Sequence, residues 1–235
     1  MKFKNIIYIS LLAPFIASGN EVADYKAEYL FETGNFSVTG IRELKTDKKT
    51  NNARITFNAK TNIVKLFFES TFSINNNTII SKKYIANVRA LLIKRNQTII
   101  YNSPDKKIIS SGQNKWEISL SDDIPILDPL NAQVMMRMSV KDMLETKNFG
   151  SFKIALQDIS NGAIEINEYR FNRMDIYKFD EKEYGSVVIQ RVREQDSRVT
   201  EYHLVPDLGF LIMEVLDKGS EATQTLKLQK ILSLG

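Results

Sequence analysis

Residues 63–74 read IVKLFFESTFSI, and their alternation decides the fold class. Val64, Leu66, Phe68, Phe72 and Ile74 fall on one face of an extended chain, opposite Lys65, Glu69, Thr71 and Ser73. Apolar side chains at every second position mark a strand with one face in a core and the other in water. Asn75, Asn76 and Asn77 follow as a turn.

The same period spreads in both directions. Upstream, Ile55, Phe57 and Ala59 alternate with polar residues, and Phe36, Val38 and Leu44 continue an earlier strand. Before them Tyr25, Ala27, Tyr29 and Phe31 oppose Lys26, Glu28 and Glu32, with Gly34 and Asn35 as the turn of a hairpin. Downstream, β-like runs cover residues 78–88, 90–94, 98–101, 106–110 and 116–120.

The pattern changes once. Residues 127–145 lack strand punctuation and are rich in Met, Leu, Ala and Gln, which favour helix. Asp128 is placed to cap the start, and Pro129 suits the first helical position. Leu130, Val134, Met138 and Leu144 share one arc at about 100° per residue, and Arg137 and Lys141 fall within it. Asn148 and Gly150 end the helix. Strands resume over 152–159, 163–179, 186–193, 199–205, 210–217 and 222–232, with Asn161-Gly162, residues 206–209 and Lys218-Gly219 as turns.

No strand–helix alternation points to a parallel sheet, and no repeat or linker divides the chain. The expected fold is mainly β: an antiparallel curved sheet closing into a barrel or half-barrel, with one inserted helix near 128–146. Residues 20–235 are expected to form a single β-rich domain.

The first 19 residues read as a secretory signal peptide. Lys2 and Lys4 give a positive start, residues 6–16 a short apolar run, and Ala17, Ser18 and Gly19 a small-residue cleavage site. The apolar run is shorter than the roughly 20 residues that span a bilayer, and an uncleaved anchor is the rival reading. No later stretch is long and apolar enough for a transmembrane helix. Export from the cytoplasm is the expected outcome.

Composition excludes several activities. The formal charge of +4 falls to about +2 once Lys2 and Lys4 are removed, and the basic residues are dispersed. Nucleic acid is therefore not an expected partner. With no cysteine there is no disulfide, thiol nucleophile or thiolate metal site. The single histidine, His203, excludes a site built from two histidines of this chain. No phosphate loop, dinucleotide fingerprint or nucleophile elbow is present, and no cofactor is expected.

The remaining candidates are few. His203 would be the base of any hydrolase, but no nucleophile motif accompanies it; a polar residue on a strand is the plainer reading. Asp122, Asp123 and Asp128 would offer oxygen ligands to a cation, though without calcium-loop spacing, and turn and cap chemistry explains them as well. The many aromatics suit either an ordinary sheet core or a lined cavity. Arg137 stands where the helix should face the sheet, so a buried guanidinium there must find a partner: an acidic side chain, carbonyl oxygens or the anionic group of a ligand. Arg137, Phe68, Phe72 and Met138 are the expected ligand-binding residues.

Three segments resemble an exported bacterial family, domain of unknown function 3108. They are YKAEY at 25–29 with the hairpin through Gly34 and Gly40, DPLNAQVMMR at 128–137, and residues 199–215 around VPDLG at 205–209. The chain departs from that family's pattern at His203, where relatives often carry Trp, and at Ile212, where they often carry Pro. The resemblance implies a Gram-negative periplasmic setting and a β-rich fold, and it supplies no catalytic residue. The leading expectation is a non-enzymatic envelope protein holding a lipid or other amphiphile in its curved sheet. The alternatives are a scaffold that binds another envelope protein through a sheet edge, and a hydrolase using His203.

Overall fold

The computed structural model describes residues 22–34, 36–90, 93–120, 124–193, 197–219 and 223–235. The expected signal peptide, Asp122 and Asp123 lie outside these residues. Fifteen strands form one sheet, antiparallel but for its last pair. Its first strand lies in the middle of it. The first strand, β1 (Tyr25–Thr33), pairs on one side with β2 (Phe36–Asp47) and on the other with the last strand, β15 (Thr223–Leu234).

Two meanders leave this centre. One runs outward through β3 (Asn52–Lys60), β4 (Val64–Asn75), β5 (Thr78–Ala90), β6 (Ile93–Asn102), β7 (Lys107–Gly112) and β8 (Trp116–Ser119). The other returns inward from β9 (Ile126–Leu127) through β10 (Ser151–Gln157), β11 (Ile164–Phe179), β12 (Lys182–Arg191), β13 (Val199–Val205) and β14 (Leu211–Lys218) to β15. The helix α1 (Asn131–Thr146) joins the two wings.

Local chemistry sets the hairpins. Asn76 and Asn77 both take positive φ, 45° and 64°, between β4 and β5. Two successive left-handed residues make the turn whose twist matches the flanking strands, and asparagine tolerates that backbone well. Lys147 is left-handed at φ 54° and ends α1. The region 90–94 is not the separate strand that alternation suggests. β5 continues to Ala90 and β6 starts at Ile93, so the break falls inside that run.

Three further differences concern element boundaries. β9 has only two residues, pairs parallel with β10, and is too short to leave a periodic trace. Regular helix starts at Asn131 rather than Asp128, although the Ala132 amide already donates to the Asp128 carbonyl. β12 begins at Lys182, four residues before the expected start, across a turn in which Asp180 and Glu181 are left-handed.

The sheet curls without closing by hydrogen bonds, since β8 and β9 remain its two ends. α1 lies inside the curl, against β4, β5 and β10. Its buried residues, among them Asn131, Val134, Met136, Met138, Val140 and Met143, occupy more than one face. A helix enclosed by a sheet has no single amphipathic arc. Among the described residues no helix is long and apolar enough to cross a membrane.

A candidate ligand cleft

α1 does not fill the curl. A cleft of about 560 Å³ remains between one side of the helix and the concave face of the sheet. That volume falls in the range of roughly 300–1,000 Å³ typical of small-molecule sites. Pro129, Ala132, Gln133 and Met136 form the helix wall. Their spacing puts them on one face.

Cross-strand neighbours form the sheet wall. Tyr202 on β13 opposes Val215 on β14, Val215 opposes Leu226 on β15, Leu226 opposes Phe31 on β1, and Phe31 opposes Val38 on β2. A second row runs from Arg42 on β2 to Phe57 on β3 and Phe68 on β4. All of these side chains line the cleft. The Phe57 and Phe68 rings stack at 6.3 Å and 21°. Gly40 makes room for Phe57: a Cβ there would lie 2.4 Å from the ring.

Arg42 is the one cation among the described lining residues, and it is 4% exposed. Its guanidinium carbon sits 4.8 Å from the centre of the Tyr29 ring and 5.8 Å from that of Phe57. Nη1 donates to Gln133 Oε1, and Gln133 Nε2 donates onward to the Pro129 carbonyl at 3.2 Å. Nε is buried and makes no hydrogen bond. No carboxylate pairs with Arg42 among the described residues.

Arg137 is buried too, 2% exposed, but its surroundings differ. Nε donates to the Phe210 carbonyl at 3.2 Å, and Nη2 donates to those of Ala23 at 2.9 Å and Gly209 at 2.7 Å. Its cation lies 4.8 Å from the Tyr25 ring centre. Burial pushes its pKa down, against Tyr25, Tyr29 and Asp24, while Arg42 adds a like-charge push in the same direction. Tyr29 stands between the two cations in charge terms, and its hydroxyl donates to the Ile212 carbonyl at 3.0 Å. Burial holds that phenol well above its ordinary range.

Of the four expected ligand residues, Phe68 lines the cleft. Phe72 and Met138 are buried in the core, and Arg137 is held by main-chain carbonyls away from the lining. The helix therefore turns Met136, not Met138, toward the space. Arg42 was missed by the sequence reading, although it shares the parity of Val38 and Leu44 and so puts a charge on the apolar face of β2.

Asp128 is buried at the head of the helix. Its Oδ1 accepts from the amides of Leu130 at 2.9 Å and Asn131 at 3.0 Å, and its Oδ2 accepts from Ser70 Oγ at 2.6 Å. Asn131 Oδ1 accepts from the Asp128 amide and its Nδ2 donates to Ser81 Oγ, which donates to the Ile126 carbonyl. The network joins β4, β5, β9 and α1. Burial pushes the Asp128 carboxyl up to about 6 against these hydrogen bonds. Capping thus occupies the side chain proposed for a cation. Among the described residues no three histidine, aspartate or glutamate side chains group as metal ligands.

His203 points away from the cleft, on the face of β13 opposite to Tyr202. Its Nε2 is 4.0 Å from Glu201 Oε2 and its ring 5.8 Å from that of Tyr177. Burial lowers its pKa, against Glu214 and Glu201. It makes no hydrogen bond to a hydroxyl among the described residues.

No protein-family model matches the sequence, and no curated protein matches it. Solved structures do. One is the crystal structure of a beta-barrel-like protein of domain of unknown function DUF1849 from Brucella abortus, with a TM-score of 0.57 and 10% identity. The alignment covers 89% of this chain and 97% of that one, and at this identity it speaks for the fold alone.

Proposed function

We propose that this chain is a non-enzymatic periplasmic protein that holds an apolar or amphiphilic small molecule between α1 and the concave face of its sheet. The observation that carries this is the unfilled cleft: aromatic and aliphatic side chains from β1–β5, β10, β11 and β13–β15 turn into a space that the enclosed helix leaves open. A core selected only for stability would be packed there, because voids forfeit contacts on one side. The position of His203 on the other face supports a binder over a hydrolase, since among the described residues no histidine or carboxylate lines the space a substrate would occupy.

Export rests on Lys2, Lys4, the apolar run at 6–16 and the small residues 17–19. The three segments resembling domain of unknown function 3108 support the same compartment. The test is native mass spectrometry of the protein purified from its own periplasmic fraction, with N-terminal sequencing. The expected result is a chain starting near Asn20 with a small amphiphile bound. An intact Met1 in the membrane pellet would overturn the export reading. An empty chain bound instead to another envelope protein would overturn the carrier reading.

A further inference from the structure

We infer that the cleft selects amphiphiles with an anionic headgroup, a carboxylate or phosphate, and that Arg42 is the residue that recognises it; this rests on the proposed carrier function. The two buried arginines make the contrast. Arg137 directs Nε and Nη2 at three carbonyls outside the cleft, and its unpartnered Nη1, like the rest of the side chain, is not part of the cleft lining. Arg42 lines the cleft, and Nη1 to Gln133 is its one hydrogen bond among the described residues. A guanidinium has five N–H donors in a planar fork. The Nε–Nη2 edge is therefore without a protein partner, and Nε is already dry.

A buried cation without an anion is costly, and proteins pair such groups or hydrogen-bond them fully. Among the described residues no carboxylate pairs with Arg42. Asp128, the buried carboxylate at the helix head, is committed to Ser70 and two amides. The Tyr29 and Phe57 rings hold the guanidinium in place, so its orientation is set before a ligand arrives. A carboxylate or phosphate oxygen would accept from Nη2, while Nε is covered by protein and is not open to a ligand. The apolar lining from Phe57 and Phe68 to Leu226 then takes the chain.

The test measures calorimetric binding of four probes to delipidated protein: dodecanoate, dodecyl phosphate, dodecanol and dodecyltrimethylammonium. Both anions are expected to bind at least tenfold tighter than dodecanol, about 1.4 kcal/mol, and the ammonium weakest. Arg42→Met should bring dodecanoate down to the level of dodecanol. Acetate at the same concentration should not displace dodecanoate; if it does, the site takes small anions and the amphiphile part fails. Equal binding of dodecanol and dodecanoate overturns the headgroup inference and leaves the carrier function standing. Binding of no probe overturns both. The ranking of probes on the unchanged protein decides the matter even where Arg42→Met does not fold.

Discussion

The indole of Trp116 donates from Nε1 to the carbonyl of Ile159 at 3.3 Å. Trp116 opens β8, one end of the sheet, and Ile159 follows β10, next to the other end. A side chain thus bridges the line that strand pairing leaves open. Gly162 lies beneath the ring with φ +80°, and a Cβ there would be 2.7 Å from the indole.

Gly162→Ala should open this seam. It strains the backbone and displaces the ring together, at a cost of about 2 kcal/mol. Trp116 is the only tryptophan, so its emission reports on the seam directly. The expected outcome is a lower denaturation midpoint with a red-shifted folded-state emission. An unchanged spectrum and midpoint would mean that Trp116 does not hold the two ends.

Phe68 and Phe72 share a face of β4 but should respond differently to truncation. Phe72 is fully buried in the core, whereas Phe68 is half-buried and lines the cleft. Phe72→Ala should cost about 3–5 kcal/mol, the usual range for a core phenylalanine. Phe68→Ala should cost less than half as much and should reduce co-purified ligand. Urea titrations and native mass spectra of both variants check this; equal stability losses with ligand retained in Phe68→Ala would deny that Phe68 faces an open space.

The strand faces of β1 to β4 are legible because each alternates over many residues, and one slip would expose the whole apolar set. The helix is legible from its Asp128-Pro129 start. Its orientation is not, because side chains on several faces are buried and only packing decides that Met136 turns to the cleft. β9 owes its pairing to a neighbour far along the chain. Arg42 and Ser70 left a signal of another kind. Each puts a polar group at an inward position, Arg42 between Val38 and Leu44 and Ser70 between Phe68 and Phe72. A polar residue on the buried face of a strand needs a partner, and sequence alone does not say where that partner lies: for Ser70 it is Asp128, 58 residues on.

Asp128 should make stability fall as pH rises. Burial pushes its carboxyl from 3.8 to about 6, while an unfolded aspartate titrates near ~3.9. Between about pH 4 and 6 the folded protein therefore keeps a proton that the unfolded chain releases. The contribution of this group is greatest at about pH 4 and below, declines through the window, and is fully lost above about 6. The loss is on the order of 3 kcal/mol for a shift of about two units. Asp128→Asn keeps the acceptor for both amides and can donate to Ser70 Oγ, but cannot ionise. Urea melts at pH 4 and pH 7 should show the variant lacking this decline and gaining relative stability at pH 7. Parallel pH profiles for the two proteins would mean that the Asp128 carboxylate is better solvated than its burial implies.

Arg137 should matter for stability and not for ligand. Its guanidinium ties three places together: Ala23 before β1, the turn at Gly209 and Phe210 after β13, and α1, which carries it. Arg137→Met keeps much of the volume but leaves three carbonyls without this donor and the Tyr25 ring without its cation. An unsatisfied buried group costs about 1–3 kcal/mol, and partial access of water to these carbonyls keeps the total near 3 kcal/mol. Arg137→Lys should not restore it, because one ammonium cannot reproduce a planar fork spread over three acceptors. The ligand carried per folded molecule should stay at the wild-type level, since Arg137 is not part of the cleft lining. Melting temperature and ligand content, measured on the same preparation, separate the two roles. A variant that melts like the wild type but comes out empty would place the headgroup at Arg137, and would reduce Arg42 to a cation held only by Tyr29, Phe57 and Gln133.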